Sequence, residues 1–260
     1  MIRLKYLLGV LMGVPCLPLI IRDGKRIRAR VPTLPEAENP AGVEGKSKRK
    51  INLLTFGEST LAGVGIKDQK DGATCSIAKV LVEELDAEVK WKVMARSGYT
   101  MKQVTHKILP KMDDFQPDII VTAMGGNDAF KANSPMKFAA AAGGFIEKLQ
   151  AKYPEIPIIF MNMPPIKDFP AFTSLTKFFI GNLVELHGQA LNKTVQKYDN
   201  VFYISEIITF RDWINKTDKT LTVNDFFSDG VHPSGLTYQL WGKETGKYIV
   251  ENEILKDVRF

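Results

Sequence analysis

Residues 51–60 read INLLTFGEST. Ile51–Phe56 is a short apolar run that does not alternate with polar residues, and it stops at Gly57, which predicts a strand buried on both faces. Working outward, similar runs recur at Asp118–Met124 (DIIVTAM) and Ile156–Met161 (IPIIFM), with a shorter one at Val201–Ile204. Glu88–Met94 alternates, placing Val89, Trp91 and Val93 on one face of a further strand. Between these lie stretches of helical character: Thr74–Leu85, with Ile77, Val80, Leu81 and Leu85 in register, Met101–Leu109 stopped by Pro110, Pro135–Tyr153, Ser174–Tyr198 and Ser234–Leu255. Alternating strands and helices, with strands that are apolar throughout, predict an α/β domain whose parallel sheet is covered by helices on both faces.

In such sheets the ligand crevice lies outside the carboxyl ends of the strands. Three loops occupy those ends: Gly57-Glu58-Ser59-Thr60, Arg96-Ser97-Gly98-Tyr99 and Gly125-Gly126-Asn127-Asp128.

The rest of the 260-residue chain sets bounds on function. Apolar residues make up 45% and charged residues 25%, which excludes a disordered, collagen-like or multi-span membrane protein. Cys16 and Cys75 are too few for a disulfide framework or a cysteine-based zinc site, and Cys75 reads as a buried, inert thiol. The net charge of +6 suggests nucleic acid until it is divided. Residues 1–50 hold 11 of the 35 Lys+Arg against four acids, which leaves 24 bases and 25 acids in residues 51–260. No nucleic-acid partner is therefore expected.

The basic excess belongs to an N-terminal arm, residues 1–30. Tyr6–Ile21 is a run of 16 uncharged, mostly apolar residues interrupted by Pro15 and Pro18. No small-x-small cleavage site follows it, and Cys16 after Pro15 does not fit an acylation site. Five bases between Arg22 and Arg30 follow the run. The expectation is membrane association through residues 4–30, as a short anchor or an interfacial segment, with the arm packing on its own domain as the alternative. More positive charge after the run than before it favours a cytoplasmic body over a periplasmic or secreted one. Residues 31–50, with Pro32, Pro35 and Pro40, read as a linker, and residues 51–260 as the globular domain.

A serine hydrolase needs a hydroxyl, an imidazole to take its proton, a group to orient the imidazole, and donors for the oxyanion. Of the three histidines, His106 and His187 fall inside helical stretches. His232 lies in the turn-rich segment Ser228-Asp229-Gly230-Val231-His232-Pro233-Ser234, where Asp229 is placed to accept from the ring and fix its tautomer. Ser59 directly follows the first strand. The segment is not a G-x-S-x-G elbow, because Leu61 stands where the second glycine would be. A serine there also reads as a turn residue or helix cap, and Gly98 and Asn127 also read as turn chemistry.

Gly57-Glu58-Ser59, Gly98, Gly126-Asn127-Asp128 and Asp229-x-x-His232 resemble, in order, the four blocks of the SGNH (GDSL-type) hydrolases, across essentially all of residues 51–255. The resemblance implies a three-layer α/β/α, flavodoxin-like fold and ester hydrolysis through an acyl-serine. By position it makes Ser59 the nucleophile and His232 the general base and later acid, oriented by Asp229. It makes the backbone N–H groups of Ser59 and Gly98 and the side chain of Asn127 the oxyanion hole. The chain departs from the family in one place, where Glu58 stands for the usual Asp.

The implied substrate is a small or lipid-like acyl ester, and no cofactor or metal is expected. An O-acetyltransferase or polysaccharide deacetylase would share the acyl-enzyme. A non-catalytic nucleotide- or phosphate-binding module would rest on Gly63-x-Gly65 alone, without a Gly-Lys-Ser/Thr ending or a full G-x-G-x-x-G. Phe169, Phe172, Phe178 and Phe179 are expected in the core rather than in an acyl pocket or lid.

Overall fold

The apolar runs become strands because their side chains are buried on both faces of one sheet. A computed structural model describes residues 1–256. In it, β2 (Lys50–Gly57), β3 (Glu88–Ala95), β4 (Ile119–Ala123), β5 (Ile158–Phe160) and β6 (Val201–Tyr203) are parallel. They lie in the order β3-β2-β4-β5-β6, the doubly wound order of the flavodoxin-like folds. The edge is finished by β1 (Ala41–Glu44), antiparallel to β3, so the sheet is mixed rather than wholly parallel. Its residues come from the stretch read as a linker. A four-residue segment, Ala-Gly-Val-Glu, with half its positions exposed, gives no hydrophobic signal.

One face of the sheet is covered by α3 (Ala73–Leu85) and α9 (Gly235–Glu251), which pack on each other. The other is covered by α4 (Met101–Lys107), α6 (Pro135–Lys152) and α7 (Ser174–Val195). The three-layer α/β/α expectation holds. The core lies where Phe145 of α6 meets Phe56 of β2 and Phe160 of β5 edge-on, with centroids 5.8 and 6.3 Å apart. Cys75 is buried in α3, where burial pushes its thiol up to about 12.

The N-terminal arm is one 29-residue helix, α1 (Ile2–Arg30), with Pro15 and Pro18 inside it rather than breaking it. Both prolines lie on the exposed side, so the carbonyls of Leu11 and Val14, which lose an intrahelical donor, face outward. The other side packs on α7: Gly13 faces the Phe179 ring, and Thr173, the N-cap of α7, donates to the buried Asp23 at 2.7 Å. Leu4, Leu7, Leu8, Leu11 and Val14 stay exposed. An 18-residue window of α1 has mean hydropathy 2.0, enough by length and composition to cross a membrane, a test that signal sequences also pass.

Register sets up the site. Gly57 of β2 lies beside Ala95 of β3 and beside Ala123 of β4, so the three loops leave the sheet from adjacent rungs. They are tied at the exit: Arg96 donates its N–H to Gly57 O at 3.1 Å, and Glu58 donates its N–H to Ala123 O at 3.3 Å.

Candidate active site

Ser59 opens the four-residue helix α2 (Ser59–Ala62) directly after β2. It lines a cavity of about 190 Å³ together with Glu58, Gly126, Asn127 and His232. The chain therefore brings together residues 59, 127 and 232 from three separate segments.

His232 sits in a loop that its own residues hold closed. Asp229 Oδ1 accepts the N–H groups of Val231 at 2.9 Å and His232 at 2.7 Å, and Ser228 donates its N–H to His232 O at 2.9 Å. The second oxygen, Oδ2, lies 2.7 Å from His232 Nδ1. The Asp229 side chain is 1% exposed and that of His232 21%, so a buried carboxylate holds a ring that still reaches the cavity. An Nδ1–H donated to Asp229 leaves Nε2 as the free acceptor.

The other two histidines have structural partners. His106 is exposed on α4, with Nδ1 2.7 Å from Lys102 O. His187 is fully buried in α7, stacks on Phe138 at 4.6 Å and has Nε2 2.8 Å from Asn133 O; burial holds its pKa below the ordinary value.

Asn127 lies on the short helix α5 (Gly126–Phe130), and its Nδ2 donates to Tyr99 O at 3.2 Å. Gly98 occupies the neighbouring turn with φ of +77°, a left-handed conformation that favours glycine. It does not line the cavity; its carbonyl accepts from Lys131 Nζ at 3.0 Å.

Two buried carboxylates link the three loops. Glu58 Oε1 accepts the N–H of Gly126 and Oε2 the N–H of Asn127, both at 2.9 Å. Asp128 Oδ2 accepts the N–H of Met101 at 2.8 Å, and its Oδ1 accepts from Asn133 Nδ2 at 2.7 Å. A Cβ at position 126 would stand 2.9 Å from Glu58 Oε1, so only glycine lets that carboxylate approach. Burial raises the Glu58 pKa from 4.5 to about 7 against the pull of its N–H partners, and the charge of Asp128 adds to the rise.

Most of the remaining cavity wall is aromatic and apolar, with Phe169, Phe210, Trp213, Phe227 and Trp241 beside Thr60 and Thr237, and Phe130 at the rim. Phe210 and Trp213 belong to α8 (Phe210–Lys216), which sequence periodicity misses, because two turns with three apolar residues are too short to register. Phe169 and Phe172 are buried as expected, and Phe169 also faces the cavity. Phe178 departs from the core expectation: it is exposed beside α1.

Residues 55–240 match the GDSL-like Lipase/Acylhydrolase family. The chain belongs to that family. It is accordingly an ester-hydrolysing enzyme of the esterase and acyltransferase type. Solved structures agree on the fold. The family 3 carbohydrate esterase of Clostridium thermocellum is 16% identical, with a TM-score of 0.57 over 80% of this chain and 98% of that one. A catalytic mutant of Axe2, an acetylxylan esterase from Geobacillus stearothermophilus, is 13% identical, with a TM-score of 0.56 over 80% and 95%. The salicylyl-acyltransferase SsfX3 from a tetracycline biosynthetic pathway is 12% identical, with a TM-score of 0.51 over 82% of this chain and 59% of that one. A comparison with curated proteins finds no match.

Proposed function

We propose that the enzyme hydrolyses carboxylic esters through an acyl intermediate on Ser59. His232 Nε2 takes the proton as Ser59 Oγ attacks the carbonyl carbon, and Asp229 holds the ring and stabilises the imidazolium. The N–H group of Ser59 and the Asn127 amide, both on the cavity lining, receive the oxyanion, while Gly98, outside that lining, shapes the neighbouring turn. As the tetrahedral intermediate collapses, His232 returns the proton to the leaving alcohol. Water, deprotonated by the same ring, then attacks the acyl carbon, and the carboxylic acid departs as Ser59 regains its proton.

One observation carries this reading: the Asp229–His232 pair, closed at 2.7 Å, opens into the same cavity as Ser59 and Asn127. At about 190 Å³ the cavity is smaller than the ~300 Å³ at which sites for drug-sized ligands begin, which suits a short acyl group against Phe169, Phe210 and Phe227. The test is hydrolysis of p-nitrophenyl acetate and a long-chain p-nitrophenyl ester by the full chain and by Ser59→Ala. We expect turnover that favours the acetate and vanishes in the variant.

The fold shared with an acyltransferase supports a second reading in which a hydroxyl replaces water in the second step, as in an O-acetyltransferase; a polysaccharide deacetylase would keep water. A sugar acceptor added to the acetate assay separates transfer from hydrolysis by its acetylated product. For α1 we infer a membrane anchor, on its exposed apolar length and the cations that follow it.

A further inference from the structure

We propose that the Glu58 carboxylate is a positioning residue for this hydrolysis, holding the Gly126–Asn127 segment so that the Asn127 amide meets the developing oxyanion. The inference rests on the serine-esterase reading above and adds to it a residue outside the relay.

Glu58 spends both oxygens on consecutive backbone N–H groups, those of Gly126 and of Asn127 itself. These contacts join loops 68 and 69 residues apart, and Gly126 is the residue type that leaves room for them. Asp128 fixes the following residue to Met101, so Asn127 is held from both sides. A catalytic donor misplaced by ~1 Å loses on the order of 10² in rate, so such a clamp acts on kcat.

The clamp needs the ionised form. A carboxylate accepts through both oxygens, whereas a carboxylic acid turns one of them into an O–H donor, leaving the Gly126 or the Asn127 N–H without its acceptor. The groups facing Glu58 are Asp128 of α5 and, across the cavity, His232 with Asp229; no Lys or Arg lines the cavity among the described residues. Its burial then places the switch near neutrality, where ester hydrolysis is ordinarily assayed.

The experiment measures kcat, KM and the pH profile of kcat/KM for p-nitrophenyl acetate, using the full chain in detergent micelles. The wild type should lose activity on its acidic side with a two-proton limb, one of whose protons goes to Glu58. Glu58→Gln, similar in volume but never charged, should show a one-proton limb, a kcat lower by about 10- to 100-fold at pH 8 and an unchanged KM. Glu58→Asp, which restores the charge, should recover the two-proton limb. Should Glu58→Gln not fold, Gly126→Ala displaces the same carboxylate and should lower kcat at constant KM. A folded Glu58→Gln with wild-type kcat, or one with reduced kcat and an unaltered two-proton limb, overturns the proposal; the latter would make Glu58 a structural brace. Turnover that survives Ser59→Ala overturns the serine reading and this proposal together. Loss in Ser59→Ala beside a fully active Glu58→Gln overturns this proposal alone.

Discussion

Asp229 presents one oxygen to the Nδ1 of His232 at 2.7 Å and the other to the His232 backbone N–H, also at 2.7 Å. A single buried carboxylate thus fixes both the loop and the ring it carries. Asp229→Asn separates the two tasks. The amide oxygen can keep the backbone bonds while the NH₂ group faces Nδ1, which forces the proton onto Nε2, where it blocks acceptance from Ser59. We expect kcat to fall on the order of 10³–10⁴ with little change in Tm, measured by ester turnover and thermal melting. A loss below tenfold would show that the pair does not set the tautomer in turnover.

Asn127→Ala removes an amide that donates to the Tyr99 carbonyl at 3.2 Å and also lies against the Glu58 carboxylate. The bond from its backbone N–H to Glu58 survives the change. The expected result is a kcat lower by about 10²–10³ in a protein that melts as the wild type does. Wild-type turnover would remove Asn127 from the oxyanion hole.

The distinction between what is local and what is distant explains how much the sequence discloses. Five strands are legible because Ile51–Phe56 and its counterparts are buried on both faces or alternate cleanly, and their carboxyl ends locate the loops that carry Ser59 and Asn127. His232 is legible because its partner lies three residues away. The Glu58 contact is not, since its partners lie 68 and 69 residues along the chain and depend on the register of β2 against β4. Nor is the cavity wall, assembled from Phe169, Phe210, Trp213 and Trp241 on separate segments. β1 stays hidden because an edge strand with an exposed face needs no apolar run. The continuity of α1 stays hidden because proline's cost depends on whether the orphaned carbonyls face outward.

Glu58 also gives stability a pH dependence of known sign. Its pKa is 4.5 in a solvated chain and about 7 in the fold, so between these values the folded state binds more protons than the unfolded one. Its contribution is fully present below pH 4.5 and is lost as pH rises through about 7, to a cost on the order of 3 kcal/mol at full ionisation. Glu58→Gln carries no such term. The Tm of the variant minus that of the wild type should therefore rise between about pH 4.5 and 8 by several degrees and then level off. A difference independent of pH would mean that the carboxylate ionises in the fold as it does in water.

His187 behaves in the opposite sense. Burial depresses its pKa, so the stability it lends is present above its unfolded pKa of 6.5 and lost as pH falls. It touches Asn133 and Phe138 rather than the cavity. His187→Ala should lower stability by about 3 kcal/mol, as large-to-small changes in a packed core do, while changing kcat in the folded fraction less than threefold. His232→Ala should do the reverse, abolishing turnover at nearly unchanged Tm. A His187 variant that folds normally and is inactive would move the general base to the wrong side of the sheet.

The polarity of α1 changes along its axis rather than around it. Leu4, Leu7, Leu8, Leu11 and Val14 are exposed on the first half, and Arg22, Lys25, Arg26, Arg28 and Arg30 on the last turns. A helix lying flat in an interface carries its cations along one side, whereas one that enters the hydrocarbon carries them beyond its apolar stretch. The apolar stretch, Tyr6–Ile21, extends ~24 Å at 1.5 Å per residue, and Arg3, Lys5 and Arg22 can snorkel to make up the difference from a ~30 Å core. Burial of apolar surface should then dominate binding. The full chain should stay with neutral phosphatidylcholine vesicles in 1 M salt, where a Debye length of ~3 Å removes the contribution of the arginines. Leu7→Asp with Leu11→Asp should release it, because both side chains are exposed and neither lines the groove between α1 and α7. Release of the wild type by salt would instead show attachment through the cations alone. A protein that ignores vesicles of every composition would make α1 an element of the fold, held by Asp23 and Thr173.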